Sequence, residues 1–410
     1  MSLKMQSRGE PETWAYMQAW LADEEFDRAK YEESWKIVDG ALKVLQIRES
    51  DTNTRTQDLI RAEVQLWYVK GRLLVAAQKY NEGISTLEKA LTSFKDLLGD
   101  HSLTARCLNA IAHGYYNRAE DSSSYSGLDK AHDYHLEAWN ILKRITRNEP
   151  EKHMDAAMYL MNIGSTFHLL GNKYRKSDKK KAEANFRLAI ENYKEAHDVE
   201  RALRISNTPN TAFILKNMAM SYCEMENYEE ALRLAIEAFS IREETIGDHP
   251  STARNLFFIG SIYDSLGDKY AKSKKLEDNE RSNKHFSDAL ANYQKAFEME
   301  VRLGSSHSIE FEDLMDSMKA LLKKLHMDKE LENYKRIFKM AKKGTVDISD
   351  VSKVLSEASG QTQSSAGSED TGGQMEGIDQ TARPSRRRKP GPELFDESGV
   401  PSKKRRWIMS

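Results

Sequence analysis

The chain has 410 residues, 31% of them charged and only 39% hydrophobic, and its 62 basic and 64 acidic residues leave a net charge of −2. Gly (21) and Pro (8) are scarce, so the composition excludes a β-sandwich or barrel and predicts an all-α protein. Two cysteines far apart in sequence, Cys107 and Cys223, exclude a disulfide-stapled secreted domain. No apolar run approaches the roughly 18 residues that span a bilayer, and the first thirty residues are too charged for a signal peptide. The expectation is a soluble intracellular protein.

Residues 1–11 read as an N-terminal extension, and from residue 12 to 343 one pattern recurs. It is clearest at Leu215, Met218, Ala219 and Tyr222, which share one face of a helix, followed after a tight turn at Asn227 by Tyr228, Ala231, Ala235 and Ala238 on a second. The small residues let two antiparallel helices approach closely. In chain order the other copies begin with Leu21 and Ala22, paired with Tyr31, Ser34, Val38 and Ala41. Trp67 and Gly71 pair with Tyr80, Gly83, Leu87 and Ala90, and Leu108, Ile111, Ala112 and Tyr115 pair with Ala131, His135 and Ala138. Leu160, Ile163, Gly164 and Phe167 pair with Ala182, Phe186 and Ala189, and Leu256, Ile259, Gly260 and Tyr263 pair with Ala289, Tyr293 and Ala296. A last, degenerate copy, Met318 and Leu322 with Leu331 and Phe338, reads as a cap. Polar insertions at Glu120–Lys130, Tyr174–Lys181 and Asp268–Lys284 either lengthen helices or form loops. Two joints between copies are alike, Leu97-Leu-Gly-Asp-His101-Ser-Leu-Thr-Ala105 and Thr245-Ile-Gly-Asp-His249-Pro-Ser-Thr-Ala253, with a looser third from Leu303 to His307. Their Gly is placed to end a helix in a left-handed conformation and their Ser or Thr to cap the next.

These copies resemble the tetratricopeptide repeat, and the joints resemble those of the kinesin light chain type of that repeat. The heptad coiled coil of a kinesin light chain itself is absent, since repeats begin almost at once. The resemblance implies a right-handed α-solenoid of about seven antiparallel helix hairpins whose first helices line a concave groove. It also implies a non-enzymatic scaffold or adaptor that takes a peptide or partner protein in that groove. The candidate groove residues are Arg72, Arg106, Asn109, His113, Asn162, Ser165, Lys216, Asn217, Arg254 and Phe258. Their polar and basic character points to an acidic peptide or one held by amide hydrogen bonds. A two-carboxylate clamp, as in chaperone-binding tetratricopeptide domains, does not assemble. Lys216 and Asn217 stand together, but the next helices offer Phe257, Phe258 and Asp316.

No cofactor is expected. His132 and His135 have a spacing that metal ligands use, and they carry the alternative reading of a metal-dependent hydrolase or an enzyme's regulatory subunit. No third ligand joins them, and His135 takes a packing position. Cys107 and Cys223 read as small buried apolar groups.

Residues 344–359 form a short acidic segment that reads as helical at most. Residues 360–410, rich in Gln, Ser, Gly and Thr, read as disordered. The near-neutral total conceals a net −6 over residues 345–380 and +6 over 381–410. Two basic clusters, Arg386, Arg387, Arg388, Lys389 and Lys403, Lys404, Arg405, Arg406, resemble a bipartite nuclear localisation signal that would engage an import receptor. The same bases could instead meet nucleic acid or an anionic membrane through charge alone.

Overall fold

The computed structural model describes residues 11–343, apart from 53–55, 123–124, 206, 274 and 305–308. The N-terminal residues 1–10, the acidic segment and the tail with its two basic clusters lie outside the described residues. Those described form fourteen α-helices and no strand: α1 (Pro11–Asp27), α2 (Tyr31–Thr52), α3 (Gln57–Ala76), α4 (Tyr80–Leu98), α5 (Ser102–Ser122), α6 (Leu128–Ile145), α7 (Ala156–Tyr174), α8 (Lys179–Ala202), α9 (Pro209–Glu224), α10 (Tyr228–Ile246), α11 (Pro250–Ala271), α12 (Leu276–Arg302), α13 (Ile309–Lys324) and α14 (Asp328–Lys342). No described helix is long and apolar enough to cross a membrane.

Compact packing divides the described residues into two units, one up to Ile241 and one from Arg242 on. In the first, α1 packs on α2, α3 on α4, α5 on α6 and α7 on α8, and each pair also packs on the next. In the second, α11 packs on α12, α12 on α13 and α13 on α14. The solenoid of helix hairpins expected from the sequence is therefore the fold within each unit.

The hairpins close because glycine lets an aromatic ring sit on the neighbouring helix. A β-carbon on Gly164 would stand 2.8 Å from the Tyr193 ring, and one on Gly260 would stand 2.5 Å from the Tyr293 ring. Seven residues on, Gly171 meets Phe186 and Gly267 meets Phe286 in the same way. Tyr193 Oη donates to Ser165 Oγ at 3.1 Å, and Tyr293 Oη to Ser261 Oγ at 3.3 Å. This corrects the register read for α8. Tyr193, between Ala189 and Ala196, is the counterpart of Tyr293, whereas Phe186 is the counterpart of Phe286.

The insertions turn out to be mainly helix. Six of the eleven residues Glu120–Lys130 and four of the eight residues Tyr174–Lys181 lie in the ends of α5, α6, α7 and α8, and Asp268–Lys284 extends α11 to Ala271 and α12 from Leu276. Lengthening adds apolar contacts of its own: Ala119, Leu128, Leu169 and Leu170 form a buried cluster flanked by Tyr116, Tyr125, Phe167 and Tyr174.

At the joints, Gly99, Gly247 and Gly304 all have positive φ (59°, 65° and 69°), as the sequence predicts. The caps differ from expectation. The Nδ1 atoms of His101 and His249, not a Ser or Thr hydroxyl, accept the backbone N–H two residues on, each at 3.1 Å. His153 does the same for Asp155 at 3.2 Å. Imidazole is long enough to reach that N–H from the Asp-His step, and the joint's aspartate is thereby left free for another partner. Asp248 accepts from Arg302 Nε at 3.0 Å and Nη2 at 3.3 Å, and Asp100 is gripped by Arg144 in the same two-pronged way.

Candidate functional site

The first helices α5, α7 and α9 lie side by side in the first unit, α5 against α7 and α7 against α9. His168 Nδ1 and Ser221 Oγ join the last two at 2.9 Å. Each of the three presents an asparagine on its half-buried stripe: Asn109, Asn162 and Asn217.

Asn109 Oδ1 accepts from Asn162 Nδ2 at 3.0 Å and stands 3.0 Å from His135 Nδ1. An amide oxygen only accepts, so His135 Nδ1 carries the proton in this pair. His135 is fully enclosed, and burial, reinforced by His113 and His132, pushes its pKa down to about 3. The ring is thus a fixed neutral donor that orients Asn109. The chain uses the oxygen of Asn109 and the NH2 of Asn162. No hydrogen bond among the described residues takes up the NH2 of Asn109 or the oxygen of Asn162, which leaves a donor and an acceptor on neighbouring helices. That is the complement of one peptide unit in an extended chain.

Apolar residues share the stripe. Met158 lies one turn before Asn162, Phe213 one turn before Asn217, and Met220 three residues after it, all half-buried. They were not singled out from the sequence, although their spacing of three and four from the asparagines was there to be read. Ser165 is on the same face, accepting from Tyr193. His113 is exposed, lies 3.1 Å from Asn117 Nδ2 through Nε2, and stacks on Tyr116.

The basic candidates are placed differently. Arg72 lies over the Phe26 ring at 3.9 Å and is paired with Asp23 and with Asp27 (2.6 Å) of α1. Arg106 reaches the same two carboxylates at 3.5 and 3.6 Å. Burial works against the charge of Arg72, but Tyr68, Asp23 and Asp27 hold its pKa above the usual guanidinium value. Burial also pushes the Tyr68 hydroxyl up to about 12. Both arginines therefore tie α3 and α5 to α1. Lys216 is only 7% exposed and turns into the packing, not outward. Arg254 and Phe258 belong to the second unit, on α11, where both are half-buried. The acidic-peptide reading of the groove thus loses three of its four cations.

Among the described residues no three His, Cys, Asp or Glu side chains gather as a metal site. His132 packs on the Phe167 ring at 4.9 Å. Cys107 Sγ approaches the Leu87 carbonyl at 3.4 Å, and burial pushes the thiol pKa of Cys107 and of Cys223 upward, away from nucleophilic character.

The tetratricopeptide repeat family matches residues 180–242 and 210–272. No curated protein matches the chain. Solved structures similar to it include the TPR-like repeats of a kinesin light chain from Podosopora anserina (14% identity, 57% of this chain, 97% of that chain, TM-score 0.40). BtubC from P. vanneervenii is similar over 74% of this chain and 99% of that chain (14% identity, TM-score 0.36). Aspartyl phosphate phosphatase F from Bacillus subtilis is similar over 88% and 97% (15% identity, TM-score 0.39). Residues 180–272 thus carry tetratricopeptide repeats, and helix pairs continue on either side of them.

Proposed function

We propose that the protein is a non-enzymatic scaffold that holds an extended peptide segment of a partner protein along α5, α7 and α9. The observation that carries this reading is the pair of unused amide groups, Asn109 Nδ2 and Asn162 Oδ1, fixed in place by His135. A peptide backbone alternates N–H and C=O, so it fits such a pair whatever its side chains, and the half-buried Met158, Phe213 and Met220 favour an apolar side chain at alternate positions. Asn217 supplies the next amide along the same run. The two basic clusters of the tail, outside the described residues, support import into the nucleus by their composition and spacing.

Selection of a random peptide library on the full chain tests the groove. Enriched peptides should slow hydrogen exchange in α5, α7 and α9. Enrichment no better than on a bare support, or a footprint confined to other helices, would refute the reading.

A further inference from the structure

α1 is apolar on two opposite sides. Ala15, Ala19 and Ala22 are buried where the helix packs on α2 and α3, whereas Tyr16, Met17, Trp20 and Leu21 occupy the outward side. Tyr16, Met17 and Trp20 are 56%, 55% and 57% exposed, which leaves on the order of 400 Å² of apolar surface in one patch. An exposed apolar patch of this size marks a site of contact, and no described element covers it.

The charge on α1 itself has one sign. α1 carries five carboxylates, Glu12, Asp23, Glu24, Glu25 and Asp27, and no cation. Arg72 and Arg106 match two of them, and Arg28 and Lys30 match Glu24 and Glu25. Glu12, which accepts from Thr56 Oγ1 at 3.0 Å, and the exposed Glu32 and Glu33 that open α2 form no ion pair within 4 Å among the described residues.

We propose that the segment Lys403–Met409 of the same chain covers this patch. It reads Lys403-Lys404-Arg405-Arg406-Trp407-Ile408-Met409, four cations followed by three large apolar residues. Trp407, Ile408 and Met409 meet the apolar surface while the cations meet the unmatched glutamates. A second copy of the patch would instead bring carboxylates against carboxylates. The chain between is long enough. The roughly sixty residues from Lys343 to Lys403 reach about 200 Å when extended. That reach is several times the length of the longest described helix, the 27-residue α12, at about 40 Å. Docked, the second basic cluster is withheld from any other acidic partner.

Disulfide trapping in the full chain tests this. Met17→Cys with Ile408→Cys is oxidised in parallel with a control, Ile236→Cys with Ile408→Cys. Ile236 is likewise apolar and exposed, on α10, and neither exposed position carries core packing. The intramolecular cross-link should form at least tenfold faster at residue 17 than at 236. The rate should fall to that of the control when Lys403, Lys404, Arg405 and Arg406 are all changed to Ser. Equal rates for the two pairs would overturn the proposal. A cross-linked dimer whose yield rises with protein concentration would also overturn it, in favour of a second copy on the patch.

Discussion

Gly171 lies so close against the ring of Phe186 that no β-carbon fits between them, and Gly267 stands in the same relation to Phe286. The two pairs place α7 on α8 and α11 on α12 with the same spacing, and Gly164–Tyr193 and Gly260–Tyr293 repeat the arrangement one heptad away. Gly171→Ala removes a helix-weakening residue, worth about 1 kcal/mol, but forces a buried ring to move, which costs about 1–3 kcal/mol. The net expectation is a loss of about 0–2 kcal/mol in urea unfolding, with a similar loss for Gly267→Ala. At Gly40, where a β-carbon meets nothing within 4 Å, Ala should stabilise.

The same packing explains what could be read in advance. The helix pairs were legible because each places small residues opposite large ones at helical spacing, from Ala22 and Ser34 to Leu256 and Ala289. The register of α8 was not, because Ala182-Phe186-Ala189 and Ala189-Tyr193-Ala196 have the same spacing. Only the two glycines of α7 decide which ring goes where. The site was half legible. Asn109, Asn162 and Asn217 showed as polar residues on an otherwise packed face. The carboxylates that occupy Arg72 and Arg106 come from α1, more than forty residues earlier, and no local pattern reveals such a pairing.

The cluster beneath those arginines is the second test. Asp23 is buried between Arg72 and Arg106, so Asp23→Ala leaves two guanidinium groups without their shared carboxylate. Breaking a largely buried pair costs about 2–4 kcal/mol, while Asp27→Ala, at a more exposed partner, should cost about 1 kcal/mol or less. Hydrogen exchange should show the loss first in α1. Equal, small effects from both substitutions would mean that the cluster does not hold α1 in place.

Five of the hairpin turns put a non-glycine residue in the left-handed region: Ala29, Gln78, Tyr125, Glu226 and His326, with φ of 52–61°. Gln78 N donates to Val75 O at 2.9 Å and Lys79 N to Leu74 O at 2.9 Å, closing the end of α3 where glycine is the favoured residue. Gln78→Gly and Glu226→Gly should each raise stability by roughly 0.5–1 kcal/mol, the relief of left-handed strain less the added freedom of the unfolded chain. Thermal melts of the single and double variants check this, and the double variant should be close to additive.

Two buried histidines make stability depend on pH. Burial, with the nearby His113 and His132, lowers the His135 pKa to about 3, and burial with Arg175 lowers that of His168 to about 4. Unfolded, each takes a proton near pH 6.5. The unfolded chain therefore binds more protons than the folded one between those values. The contribution is complete above pH 6.5 and is lost as the pH falls from there toward 3–4, by on the order of 1 kcal/mol per unit for each histidine. Urea midpoints between pH 7.5 and 5 should fall less steeply for His168→Gln than for the parent chain, even if the variant is weaker at pH 7.5 through its altered bond to Ser221.

Titration calorimetry of a selected peptide, against the parent chain and against Asn162→Ala combined with Asn217→Ala, tests the amide groove most directly. Neither side chain belongs to the buried core, so the variant should keep its helical spectrum and unfold within about 1 kcal/mol of the parent. Affinity should fall at least tenfold, because two hydrogen bonds to the peptide backbone are removed at once. Unchanged affinity in a folded variant would contradict the groove as the site of binding.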